Sequence, residues 1–250
     1  MYSNGYIFRF AIILVVIVAA ILSAAAVVLK PFQDKNIRTE KMQTILAAAE
    51  VDSDVATAEE FYKKYITKEV VLNMNGDVVS LYEDGKLVQG DDRAFDVELK
   101  EQIKNLQAYN EGNTNVNVLL PMYIFNDGEK TLQIIPMQGK GLWGPIYGTL
   151  ALESDNSTVY GAMFSHKGET PGLGAEIATK DFQSQFKNKK IFDNGKFTSI
   201  TVVKGGVKNS NIDPLHGVDA ISGGTITSNG VTDMLKSTFE LYVPYFEKQQ

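Results

Sequence analysis

The longest apolar segment of the chain lies close to its first residue. Residues Phe10 to Leu29 form an apolar run that only Ser23 interrupts, between Arg9 and Lys30. At about 1.5 Å of rise per residue, a helix of this length crosses the ~30 Å hydrocarbon core of a bilayer. A cleaved signal peptide is the alternative, but its apolar region has about 7–15 residues, and this run is longer. The pattern predicts an uncleaved transmembrane helix at 10–29, after a short segment at 1–9.

Two helical patterns follow this run. The first covers Lys35 to Glu50 and the second covers Ala58 to Ile66. They predict a helical stalk at 30–66 that leads into a domain at 67–250.

The remaining residues alternate between short β-rich runs and helical patterns. Turn-forming pairs at Asn75-Gly76, Asp84-Gly85 and Asp127-Gly128 predict antiparallel hairpins. The β-rich runs cover 70–72, 78–81, 116–125, 131–137, 146–152, 157–165 and 197–203. Helical patterns contain Val97, Leu99 and Ile103, and then Ile177, Phe182 and Phe186. Together they predict an α+β domain with a mainly antiparallel sheet and flanking helices, preceded by one N-terminal transmembrane helix.

The last helical pattern is the most regular. Its apolar residues recur at the 3.6-residue spacing of a helix and are Val231, Met234, Leu235, Phe239 and Tyr242. Pro244 is expected to kink or end this helix, because proline has no backbone N–H to donate.

Composition and charge exclude several classes of function. The chain has 24 basic and 30 acidic residues and no basic run that would follow a phosphate backbone, so no nucleic-acid partner is expected. It has no cysteine, which excludes disulfides, thiolate metal sites and a cysteine nucleophile. The two histidines, His166 and His216, lack metal-ligand spacing, so no metal is expected. Redox chemistry would therefore need a bound organic cofactor.

The positive charges beside the apolar run give a weak orientation signal. Arg9 precedes the run, whereas Lys30, Lys35, Arg38 and Lys41 follow it. This bias alone would keep the large domain in the cytoplasm, but it carries little weight when a long domain follows the span.

A first glycine-rich segment covers 139–144 and matches the G-x-G-x-x-G pattern of dinucleotide sites. Pro145 follows at once, a strand-like alternation comes next, and no acidic residue lies about 20 positions on, so a dinucleotide site is not expected. We interpret the segment as a strand-to-strand connection that lets an exposed Trp143 or Tyr147 approach a flat ligand. A tight turn with a core tryptophan is the alternative.

A second segment, 166–174, holds three glycines and a proline. Such a rigid loop can lay its backbone against an aromatic ring, and Glu169 and Thr170 add polar groups. A plain surface turn is the alternative.

A third segment, 219–230, precedes the last amphipathic helix. Ser222, Thr225, Thr227 and Ser228 are all plausible helix caps. The free N–H groups and the dipole of a helix start also favour a phosphate, and the pair at 223–224 lets the backbone approach it closely.

This third segment carries a resemblance. Asp219-x-x-Ser222-Gly-Gly-Thr225 resembles the D-x-x-[S/T]-G-A-T flavinylation motif of FMN-binding domains, with Gly224 at the usual alanine. Together with the N-terminal span, the 43–48 stretch, Gly141-Leu-Trp and the loop 169–174, it makes the chain resemble the C-subunit family of bacterial sodium-translocating NADH:quinone oxidoreductases.

The resemblance implies one FMN attached covalently through its phosphate to Thr225. Ser222, Gly223 and Gly224 would shape the phosphate pocket, and Asp219 would belong to what a separate flavin transferase, using FAD and a divalent metal, recognises. The residues implied to face the isoalloxazine ring are Leu142, Trp143, Glu169, Thr170, Leu173 and Gly174.

The resemblance also implies electron relay between redox centres of a multi-subunit membrane complex, with no catalytic acid, base or nucleophile on this chain. It implies a cytoplasmic segment at 1–9 and a flavin domain on the periplasmic side of the bacterial inner membrane, against the charge bias. Two alternatives stay open. One is the flavin-carrying G-subunit of the related Rnf ferredoxin:NAD complex, although the 43–48 stretch and the length favour the quinone reductase. The other is a membrane-anchored binding module without redox function.

Overall fold

The computed structural model describes residues 3–249, and the chain divides after Met42 into two compact units. Helix α1 (Asn4–Ala48) runs through the apolar segment, with Pro31 inside it. The apolar side chains at 10–18 are exposed, as lipid-facing side chains would be. Among the residues described, α1 alone is long and apolar enough to cross a membrane, judged by length and composition. The span at 10–29 stays a prediction.

The second unit is built on a seven-stranded sheet in which every neighbouring pair is antiparallel. Its strands are β1 (Ile66–Leu72), β2 (Val78–Glu83), β3 (Lys86–Gln89), β4 (Leu120–Asn126), β5 (Thr131–Lys140), β6 (Pro145–Leu152) and β7 (Val159–His166). Their order across the sheet is β3-β2-β1-β4-β5-β6-β7.

Helices and two small sheets surround this sheet. The helices are α2 (Ala58–Tyr65), α3 (Leu99–Asn110), α4 (Lys180–Ser184) and α5 (Thr225–Lys248). One small sheet pairs β8 (Phe192–Asp193) with β9 (Lys196–Phe197), and the other pairs β10 (Thr201–Val203) in parallel with β11 (Gly217–Asp219). The predicted α+β class with a mainly antiparallel sheet is confirmed.

Helix α5 forms the centre of the core against β5 and β6. All five residues of its predicted apolar stripe are buried, and so is Phe246. Glycines let the helix approach the sheet closely. A Cβ on Gly230 would collide with the backbone of Lys140, and one on Gly139 would collide with Met234.

Pro244 does not end this helix, and the alternative expectation of a kink stays a prediction. The helix continues to Lys248, with Tyr242 and Phe246 buried on either side of the proline. The burial of these two rings holds the helix together where the backbone hydrogen bond is missing. The turn at Gly76 packs directly on the backbone of Pro244 and Tyr245.

Three predicted elements have different limits. Ser199 has a φ of 66°, in the left-handed region, and so divides the run at 197–203 into β9 and β10. Thr179 is extended and caps α4, which separates the helical pattern at 177–186 into a 3₁₀ turn and a short helix. The run at 116–125 becomes a strand only at Leu120, because the N–H of Leu119 bonds to the side chain of Gln102.

A buried ion pair joins the elements around β1. The Glu69 side chain is 2% exposed and accepts hydrogen bonds from Arg93 Nη2 at 2.6 Å, Tyr62 Oη at 2.9 Å and Phe95 N at 3.0 Å. The Arg93 guanidinium also lies 4.3 Å from the centre of the Tyr82 ring. These hydrogen bonds stabilise the negative charge of Glu69, which would otherwise be costly to bury.

Arg93→Met is therefore expected to lower the free energy of unfolding of the domain by about 3–5 kcal/mol, because Glu69 stays buried without its charged partner. The measurement is chemical unfolding of the detergent-solubilised chain, followed by near-UV circular dichroism. The control is Lys68→Met. Lys68 lies next to Glu69 on β1 and forms a partly exposed ion pair with Glu83 of β2, so its loss should lower the free energy of unfolding by less than about 1 kcal/mol. Equal losses in the two variants would contradict the prediction.

Candidate functional site

Three segments that are distant in sequence meet at one cleft of about 200 Å³. They are the turn between β5 and β6, the loop that follows β7, and the first turn of α5 with the two glycines before it. The cleft is lined by Leu142, Glu169, Thr170, Leu173, Gly174, Gly223, Gly224, Thr225, Ile226 and Thr227. Eight of these are predicted site residues, so the fold brings most of the predicted set together. Ile226 and Thr227 were not predicted to lie at the site.

Helix α5 begins at Thr225 without a side-chain cap. Gly224 is the N-cap residue, and the first backbone bond runs from Ser228 N to Gly224 O at 2.9 Å. The idea that a nearby hydroxyl caps this helix is therefore wrong. Because the first N–H groups of a helix have no partner within it, this end offers donors and a positive dipole to an anion beside the half-buried Thr225.

The two glycines before the helix are held by different constraints. Gly223 has a φ of 74°, and a Cβ there would lie 2.5 Å from Leu173 Cδ2. Gly224 has an ordinary φ of −99°, and its Cβ would lie 3.1 Å from Ile221 Cγ2. The alanine of the flavinylation motif would therefore fit at 224 after a small shift of Ile221.

Glu169 lies at the centre of the three segments and is 5% exposed. Its Oε1 accepts from Trp143 N at 2.8 Å, and its Oε2 accepts from Thr227 Oγ1 at 2.5 Å. Its own N–H donates to His166 Nδ1 at 3.1 Å. One carboxylate thus contacts the β5–β6 turn and helix α5 while it belongs to the loop after β7.

The pKa of Glu169 lies below its usual value. Burial alone would raise this pKa, but the hydrogen bonds from Thr227 and from the backbone N–H groups of Trp143 and Leu142 lower it by more. The carboxylate is therefore anionic at neutral pH.

Trp143 lies at the rim of the cleft rather than in the core. Its side chain is 68% exposed, and its Nε1 donates to Thr170 Oγ1 at 3.1 Å. The alternative of a core tryptophan is therefore wrong. Leu142, Leu173 and Ile226 are also exposed, so the rim is apolar.

The other two predicted residues lie outside the cleft lining. Ser222 is exposed in the turn before α5. Asp219 is exposed at the end of β11, where its Oδ1 accepts from Val207 N at 2.7 Å. The Asp219 side chain is accordingly accessible from the solvent.

Comparisons with known proteins agree with this geometry. The family model described as "FMN-binding domain" matches residues 141–240, which include the whole cleft. The chain is 34% identical to the C-subunit of the Na(+)-translocating NADH-quinone reductase of Haemophilus ducreyi, over 95% of this chain and 91% of the relative. It is 32% identical to the C-subunit of the same reductase in Neisseria meningitidis, over 93% of this chain and 89% of the relative.

The chain belongs to the C-subunit family (NqrC) of Na(+)-translocating NADH-quinone reductases. The crystal structure of the C-subunit from Parabacteroides distasonis is 37% identical, with a TM-score of 0.71 over 87% of this chain and 96% of that one. NqrC from Shewanella oneidensis is 28% identical, with a TM-score of 0.64 over 85% of this chain and 97% of that one. The predicted family is confirmed, and nothing favours the Rnf alternative.

Packing around the carboxylate leads to a first prediction for the site of this family member. Gly174→Ala is expected to lower the free energy of unfolding by about 1–3 kcal/mol, since its Cβ would lie 2.5 Å from Glu169 Oε2 and collide with Thr227. Gly168→Ala, on the same loop, meets only open space and should stay within about 0.5 kcal/mol. Urea unfolding of both variants tests this, and a Gly174→Ala variant as stable as the wild type would contradict it.

The lowered pKa of Glu169 leads to a second prediction. Since the folded-state pKa is lower, the group stabilises the fold fully above its unfolded-state pKa of about 4.3. This contribution is lost as the pH falls through the lower folded-state pKa. Glu169→Gln removes the titration, so the stability of this variant should fall less than that of the wild type on acidification. Urea midpoints measured from about pH 7 to pH 3 test this, and parallel profiles would refute it.

Proposed function

We propose that this chain is the membrane-anchored flavin subunit of a Na(+)-translocating NADH:quinone oxidoreductase and carries FMN in a phosphoester bond to Thr225. The proposal rests on the position of Thr225. It is the first residue of an uncapped helix, it lines the cleft, and it lies within the segment that matches the FMN-binding family.

The phosphate end of FMN fits the start of α5. The free N–H groups of the first helical turn favour an anion, and the hydroxyl of Thr225 is the acceptor at that place. Because Gly223 and Gly224 have no side chains, the phosphate can come close to the backbone there. Ser222 would shape the phosphate pocket.

The ring end of FMN fits the apolar rim. Leu142, Trp143 and Leu173 offer apolar surface to an isoalloxazine ring, while Thr170, Glu169 and Gly174 line the cleft beneath it. A cleft of about 200 Å³ is smaller than the roughly 300–1,000 Å³ of enclosed ligand sites. It therefore suits a cofactor that stays partly exposed to a neighbouring redox centre.

FMN supplies reversible transfer of one or two electrons when it is bound. The residues of this chain would hold the cofactor, orient it and limit its contact with water. Other redox centres of the complex would supply and accept the electrons, while NADH and quinone would react on other subunits. No side chain here has to act as acid, base or nucleophile in that relay.

Maturation requires a separate flavin transferase that uses FAD and a divalent metal. The exposed Asp219, with Ser222, Gly223 and Thr225, forms the accessible segment that such an enzyme would recognise.

The apolar part of α1 anchors the chain in the bacterial inner membrane. We place the segment at 1–9 in the cytoplasm and the flavin domain on the periplasmic side, as family membership suggests. The opposing charge bias is weak, because a long domain follows the span.

The proposal predicts an FMN-sized increase in intact mass when the chain is co-expressed with a flavin transferase, and loss of that increase in Thr225→Ala. Thr225→Ser keeps a hydroxyl at the same place and should keep the modification. In-gel flavin fluorescence after denaturation gives an independent reading of covalent attachment.

An unmodified wild-type chain, with the transferase shown active on another substrate, would refute the proposal. The chain would then be a membrane-anchored module without redox function. Full modification of Thr225→Ala would place the bond on another residue.

A further inference from the structure

The hydroxyl of Thr227 donates the shortest of the hydrogen bonds to Glu169, and both side chains are almost fully buried. Thr227 is 2% exposed and Glu169 is 5% exposed. The two residues are 58 positions apart in sequence, so their bond joins the start of α5 to the loop after β7.

Thr227 and the proposed attachment residue point in different directions. Residues two apart on a helix differ by about 200° around its axis. Both residues line the cleft, but Thr225 is half-buried, whereas Thr227 is buried and its hydroxyl is bonded to Glu169. The first turn of α5 can therefore present one hydroxyl to a ligand while the other fixes the turn in place.

A carboxylate can accept a hydrogen bond from both neighbours at this position. Trp143 N and Thr227 Oγ1 both act as donors, and each carboxylate oxygen accepts from one of them. A glutamine would have one acceptor oxygen. Its NH₂ group would meet either the N–H of Trp143, which cannot accept, or the hydroxyl of Thr227, which would then accept instead of donating. The acceptor must also be large enough to reach both, and the missing side chains of Gly141 and Gly174 provide its space.

We propose that Thr227 and Glu169 form a positioning pair that fixes the start of α5, and with it Thr225, against the two loops that face the flavin ring. This rests on the proposed function, since the positioned group is the FMN attached at Thr225. Loss of the bond would leave the phosphoester intact but would free the ring to move within the cleft.

The test compares full-length chains in detergent after complete FMN attachment, verified by intact mass. Three variants are needed. Thr227→Val keeps the shape and removes the hydroxyl, Thr227→Ser keeps the hydroxyl, and Glu169→Gln keeps the shape and removes one acceptor. The readings are the fluorescence anisotropy of the flavin and its midpoint potential.

A control variant separates positioning from stability alone. Tyr62→Phe removes another hydroxyl donor from a buried carboxylate, Glu69, on strand β1, which is separated from β5 by β4. It should lower the melting temperature of the domain without changing the anisotropy or the potential of the flavin.

We expect Thr227→Val and Glu169→Gln to lower the flavin anisotropy and to shift the midpoint potential, and Thr227→Ser to resemble the wild type. If Thr227→Val does not fold, the comparison of Glu169→Gln and Thr227→Ser with the wild type decides the question.

Wild-type anisotropy and potential in every folded variant at 227 and 169 would overturn the inference but leave the proposed function intact. A Ser variant as altered as the Val variant would also overturn it. A wild-type chain without covalent FMN would overturn both.

Discussion

The burial of the Glu169 charge is the constraint on which the cleft depends. A buried carboxylate without hydrogen bonds is unstable, so the surrounding residues must supply donors. The β5–β6 turn supplies the N–H of Trp143, and helix α5 supplies the hydroxyl of Thr227. The glycines at 141 and 174 follow from the same constraint, because any side chain there would occupy the space of the carboxylate. Two of the glycines that make these loops unusual in the sequence are thus consequences of one buried side chain.

The position of α5 adds a second constraint, which acts through packing. Its apolar stripe fills the core against β5 and β6, and Gly230 brings its backbone against the carbonyl of Lys140. Lys140 is the last residue of β5, and the β5–β6 turn begins directly after it. The same close approach that buries the stripe therefore places the start of the helix beside that turn. A change in the packing of α5 on the sheet would therefore also change the position of its first turn relative to the β5–β6 turn.

The sequence pattern predicted the elements that depend on residues close in sequence. Tertiary contacts and individual backbone angles determine the features that were not predicted. The stripe of α5 and the hairpins were predictable because each depends on residues close in sequence. The division of the run at 197–203 was not, since it depends on the φ of Ser199. The flavinylation motif predicted Thr225 as a site residue, and Thr225 lines the cleft, whereas Thr227 looked like one more helix cap. Its actual partner is Glu169, 58 residues away, and no local pattern encodes that contact.

The cleft combines a buried polar floor with an exposed apolar rim. Glu169 and Thr227 are buried, whereas Trp143, Leu142 and Ile226 are each at least 47% exposed. Apolar groups clustered around an opening favour contact with a flat ring or with another protein surface. A floor that is fixed by hydrogen bonds can hold one end of a cofactor, while a rim that is open leaves the other end within reach of a partner. For a subunit that relays electrons, an enclosed pocket would separate the redox group from its donors and acceptors, so an open cleft suits the relay.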